Sequence, residues 1–95
     1  MINVRIKLLG VLRGLTGEDV MVLKLKKPTV RIAVEILSES LPRQARNLLM
    51  DRYLDDPRPN VLILLNGKEI GVLEGLETSL KDGDELTVIP VAHGG

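Results

Sequence analysis

The chain has 95 residues, thirteen basic and thirteen acidic side chains, and no cysteine. This length suits one domain with one modest core; the cancelling charges give no global field for phosphate backbones, and the lack of cysteine excludes disulfides, thiolate nucleophiles and zinc–thiolate sites. Tyr53 is the only aromatic residue, so the core must be aliphatic, and no direct nucleic-acid binding by base stacking is expected.

Ile2, Val4, Ile6 and Leu8 alternate with Asn3, Arg5 and Lys7, the period of a strand covered on one face and wet on the other. Residues 10 to 19 contain Gly10, Gly14, Gly17 and Thr16 and read as a connecting loop or wide hairpin. Val20 to Leu25 is the returning strand, and Lys24, Lys26 and Lys27 suit an exposed edge that discourages pairing with other chains. Pro28 stops that strand and Thr29 can cap a helix. Val30, Ala33, Val34, Leu37 and Leu41 then share one helical face, flanked by Ile32 and Ile36, while Arg31 and Glu35 can pair on the opposite side. The broad apolar stripe reads as core, the cover that a small sheet requires.

Pro42 ends or bends this helix. Leu48, Leu49, Tyr53 and Leu54 allow a second, shorter helical piece, with Arg43, Arg46 and Arg52 facing water. Asp51, Asp55 and Asp56 interrupt those arginines, which favours a solvated face over a phosphate site. Residues 56 to 60 form a proline-rich loop, and Val61 to Leu65 is apolar on both faces before an Asn66-Gly67 hairpin turn and a brief return over Lys68 to Ile70. Gly71 to Ser79 reads as irregular, with Leu73, Leu76 and Leu80 as anchors. Asp82-Gly83-Asp84-Glu85 is too short for an EF-hand loop and reads as a turn, so no metal site is expected.

Leu86 to Val91 is the last strand, followed by Ala92, His93, Gly94 and Gly95. Two glycines have no side chains to pack and the largest backbone freedom. They make a thread that can enter a channel any Cβ would obstruct. A lone histidine beside it, His93, reads as a recognition or solvent-exposed residue rather than a general base. The element order implies an α+β roll, a mixed four- to five-stranded sheet with one main helix packed across one face. Residues 1–91 form the domain and 92–95 a flexible tail. First and last strands lying side by side would be parallel at the sheet centre. The uncovered face is a candidate docking surface, assigned to Val61, Ile63, Leu65, Thr87 and Ile89. Neither a leader pattern nor an apolar run of spanning length is present, so a cytoplasmic protein without membrane contact is expected.

The stretches INVRIKLLG, LRGLTGED, VLILLNGKEI and LKDGDELTVIP, with the terminal diglycine, resemble the small β-grasp sulfur carriers and modifiers. That family includes ThiS, the small archaeal modifier proteins, the ubiquitin-related modifier and the small subunit of molybdopterin synthase. The ending AHGG most resembles the ubiquitin-related modifier. The resemblance implies a ubiquitin-like β-grasp roll whose Gly95 carboxylate is activated, with Gly94 allowing close approach and Val91, Ala92 and His93 lining the channel behind. It further implies a ubiquitin-activating-type adenylating enzyme that uses ATP. Downstream stand a sulfurtransferase or tRNA thiolation enzyme, cofactor synthesis, or lysine-bearing target proteins. On this reading the carrier binds no cofactor, is no enzyme and is a monomer when free. Two alternatives stay open: a fixed small subunit of molybdopterin synthase, and a ubiquitin-like binding module with an inert tail.

Overall fold

The computed structural model describes residues 1–91. Among them, β1 (Ile2–Leu8), β2 (Val20–Leu25), β3 (Val61–Leu65), β4 (Lys68–Glu69) and β5 (Glu85–Pro90) form one mixed sheet in the order β2-β1-β5-β3-β4. β1 and β5 run parallel at its centre, with Arg5 opposite Glu85 and Leu8 opposite Val88. Every other pairing is antiparallel. The long connection between first and last strands permits the parallel pair, which a tight hairpin could not make.

The alternation in β1 becomes a burial pattern: Val4, Ile6 and Leu8 are enclosed while Asn3, Arg5 and Lys7 are exposed. Helix α2 (Val30–Ser40) lies over this apolar side and adds Val30, Ala33, Val34 and Leu37 to the core. It begins as its sequence predicts. Thr29 is extended, at φ −119° and ψ 157°, and its hydroxyl accepts a hydrogen bond from the Ile32 N–H at 3.3 Å, satisfying a donor that has no partner within the helix. Pro42 disfavours helical geometry at the residue before it, and Leu41 is extended there at ψ 149°.

Helix α3 (Arg43–Leu49) follows at once and buries Ala45 and Leu49. Arg46 donates from Nε to the Ser38 carbonyl at 3.0 Å and from Nη2 to the Leu41 carbonyl at 3.2 Å. The end of α2 is thus capped by a cation on the next helix, where the macrodipole favours positive charge.

Four expectations need correction. Residues 10–19 hold a helix, α1 (Gly10–Thr16), rather than a loop alone. Leu12 is fully buried and Leu15 packs against the core one turn later, so burial outweighs the helix cost of Gly14. Gly17, left-handed at φ 74°, ends it with a hydrogen bond from its N–H to the Arg13 carbonyl. With α1 and α3 present, α2 is the longest cover but not the only one. Arg31 pairs with Glu77 at 2.6 Å instead of Glu35, because the segment holding Glu77 packs on α2. Leu76 and Leu80 are core, but Leu73 is 38% exposed, since the two short 3₁₀ turns at Ile70–Val72 and Gly75–Glu77 leave it between them.

The fourth correction concerns the sheet faces. Val61 and Ile63 are buried at 3% and 1% exposure, and Leu65 packs against the core. These three therefore lie under the helices and do not line the open face. Directly opposed residues share a face, so the pairs Leu62–Ile89 and Leu64–Thr87 occupy the other side with Arg5 and Lys7. No helix among the described residues is long and apolar enough to cross a membrane.

Candidate functional site

The root of the tail is held firmly. β5 sits between β1 and β3, and the Val91 N–H donates to the Asn60 carbonyl at 3.1 Å. On the other side the Leu9 N–H donates to the Val88 carbonyl at 3.1 Å. Gly10, at φ +59°, brings the start of α1 so near that an added Cβ would lie 3.7 Å from Pro90 Cδ. Val91 is 41% exposed at the end of this brace. Ala92, His93, Gly94 and Gly95, the remaining predicted tail positions, lie outside the described residues.

The acidic turn before β5 fixes the other end of the strand. The Asn3 N–H donates to Asp82 Oδ1 at 2.7 Å, and the Lys81 N–H donates to Asp84 Oδ2 at 2.7 Å. Asn66 Nδ2 donates to Asp84 Oδ1, and the Glu85 N–H donates to Asn66 Oδ1, both at 2.9 Å. Gly83, at φ +88°, supplies the left-handed residue and donates its N–H to the Asn3 carbonyl. The aspartates therefore receive backbone and amide donors from β1 and the β3–β4 hairpin, as a turn requires. Among the described residues, no group of three His, Asp or Glu side chains could hold a metal ion.

The open face divides into two halves. Leu62, Leu64, Thr87 and Ile89 form its apolar part, with Leu62 37% exposed, and Arg5, Lys7, Lys24 and Val22 form the rest. Arg5 lies 3.8 Å from Glu85, a half-exposed pair that contributes little stability. Of the predicted docking residues, the structure places Thr87 and Ile89 here. Sequence reasoning missed Leu62 and Leu64 because all five residues of β3 are apolar, so the run shows no phase. Only the pairing of Thr87 with Leu64 reveals which members face water.

A further charged element lies away from both. Asp56 accepts from Arg58 Nε and from Arg58 Nη2, the latter at 2.6 Å, and from the Arg58 N–H at 2.8 Å. The Arg58 guanidinium hydrogen bonds hold the Asp56 carboxyl below the usual carboxylate range. This pair stiffens the loop entering β3.

The parallel central pair, the crossing helix and the terminal strand ending in an exposed root define a ubiquitin-like β-grasp protein. The solved structure of small archaeal modifier protein 1 from Methanosarcina acetivorans is similar, with a TM-score of 0.84 and 31% identity over 100% of this chain and 98% of that one. Residues 6–95 match the ThiS family, and the chain belongs to that family. A predicted sulfur carrier protein of Archaeoglobus fulgidus is 30% identical over 74% of this chain and 77% of its own length. Small archaeal modifier protein 3 of Haloferax volcanii is 41% identical over 50% of this chain and 53% of its own length. The chain is thus one of the small sulfur-carrier and modifier proteins of ThiS type.

Proposed function

We propose that this protein carries an activated acyl group at Gly95. A ubiquitin-activating-type enzyme binds the domain and the tail, and an oxygen of the Gly95 carboxylate attacks the α-phosphorus of ATP, releasing pyrophosphate. The acyl-adenylate then meets a nucleophile and AMP leaves. Attack of sulfide on that carbon gives a thiocarboxylate, a donor for tRNA thiolation or cofactor synthesis; attack of a lysine amine gives an isopeptide with a target protein. The chain supplies the carboxylate and the docking surfaces, and the enzyme supplies ATP and the catalytic groups.

The observation that carries this reading is the family match, which runs through residue 95 and so takes in Gly94 and Gly95 as well as the domain. Rigid placement of the β5 end supports it, since a fixed root lowers the entropy lost when the tail is captured. The open apolar half-face with basic neighbours supports domain docking. Mass spectrometry of the C-terminal peptide, from protein taken out of its native cells with and without ATP and the activating enzyme, is the test. A thiocarboxylate at Gly95, or Gly95 joined to a lysine, is expected. An unchanged carboxylate under activating conditions refutes the proposal.

A further inference from the structure

We propose that the cleft beside the tail root, on the helical side of the domain, receives an apolar side chain from a loop of the enzyme that activates Gly95. The cleft has a volume of about 250 Å³ and is lined by Val11, Asn47, Leu48, Asn60, Pro90 and Val91. Three elements meet there: the first turn of α1, the last turn of α3, and the end of β5. Val11, Leu48 and Val91 are 50%, 39% and 41% exposed. Apolar side chains from three separate segments converge on one concavity without filling it.

Its walls are fixed. The Val91 N–H bonds to the Asn60 carbonyl, and the Met50 N–H bonds to the Arg46 carbonyl at the end of α3. The start of α1 packs against Pro90. A preformed concavity gives up little conformational entropy when filled.

The reach of the chain identifies the occupant. Four residues follow Val91, and an extended chain spans at most about 3.6 Å per residue, so Gly95 lies within about 14 Å of this rim. An enzyme that encloses the Gly95 carboxylate therefore brings its entry surface within that distance of the cleft. Among the described residues, no charged side chain lines it. The matching surface is a loop bearing an apolar side chain, with its backbone amides within range of the Asn47 and Asn60 side chains, which both donate and accept. Binding in this cleft is insensitive to ionic strength, whereas a contact at Arg5, Lys7 and Lys24 on the open face weakens as salt rises.

The inference rests on the activation reading above, so its test separates the two. The adenylating enzyme is purified from the source cells by its carrier-dependent ATP–pyrophosphate exchange and assayed with the full-length chain. Leu48→Asp and Val11→Asp, exposed positions on different helices, each raise the KM for the carrier on the order of tenfold, the scale of an interface anchor. The kcat and the melting temperature stay unchanged, the KM ratio is the same at low and high salt, and Leu48→Met restores the parent KM. Unchanged KM for both aspartate variants, with exchange still dependent on Gly95, overturns the cleft assignment and leaves the activation reading standing. A lowered KM shows that the tail itself fills the cleft and also overturns it. Exchange that persists after Gly95 is deleted refutes the activation reading, and the cleft assignment falls with it.

Discussion

Ile63 and Leu62 are neighbours in β3 on opposite faces of the sheet, and replacing each by alanine separates stability from the proposed docking. Ile63 is 1% exposed and sits opposite Val88 in the sheet interior. Truncating such a residue removes its transfer free energy and leaves a cavity, a loss of about 2–5 kcal/mol. A domain of this size has roughly 5–14 kcal/mol of total stability, so Ile63→Ala removes a large share of it. At about 4–8 °C per kcal/mol for a domain near 100 residues, a loss of about 3 kcal/mol lowers Tm by roughly 12–24 °C. Leu62 retains 37% exposure and its surroundings are open to water, so Leu62→Ala costs about 1 kcal/mol or less. Thermal and urea denaturation measure both variants, and ATP–pyrophosphate exchange measures docking at a temperature where both are folded. Leu62→Ala raises the KM for the carrier while Ile63→Ala leaves it unchanged. Equal destabilisation by the two substitutions refutes the assignment of faces in β3.

Three further outcomes are expected. Deleting Gly95, or replacing Gly94 by valine, abolishes exchange with no change in Tm; a substantial fall in Tm would give the tail a structural role. Thr29→Ala removes the acceptor for the Ile32 N–H and costs about 1 kcal/mol in urea denaturation, while Thr29→Ser retains most of the stability. Asp56→Asn tests the Arg58 pair through pH. The Asp56 pKa is lowered in the folded chain, so the charged carboxylate stabilises the fold above the ordinary carboxylate pKa. That contribution disappears as pH falls through the lower folded-state value. Arg58 is half exposed and screened by water, so the variant loses about 1 kcal/mol or less at pH 7. The difference from the parent vanishes in strong acid; a difference that persists there refutes the linkage.

The main elements were legible because each carries a local signature. The alternation of β1, the Thr29 cap with its apolar stripe, and the Asn66-Gly67 turn all have short-range causes, and the structure gives Asn66 and Gly67 φ angles of 48° and 88°. Helix α1 was less legible, since its glycines read as loop and the Leu12–Leu15 spacing with the Gly17 cap spans only two turns. Tyr53 and Leu54 are 99% and 68% exposed, although apolar character alone draws them toward a helix core. Asp51 Oδ1 instead accepts from the Tyr53 and Leu54 N–H groups, turning the chain outward through a local bond that competes with helix.

The sequence by itself determined the succession of the strands and the main helix α2, the aliphatic make-up of the core, the acidic turn and the terminal diglycine, because each rests on residue types or on local pattern within a few positions. Tertiary structure decided which members of the uniformly apolar β3 face water and which salt bridge Arg31 makes. It also brought Val11, Leu48 and Val91 around one cleft. Those outcomes depend on strand register and helix packing between segments far apart in the chain, and a period-two phase cannot be read where every residue is apolar.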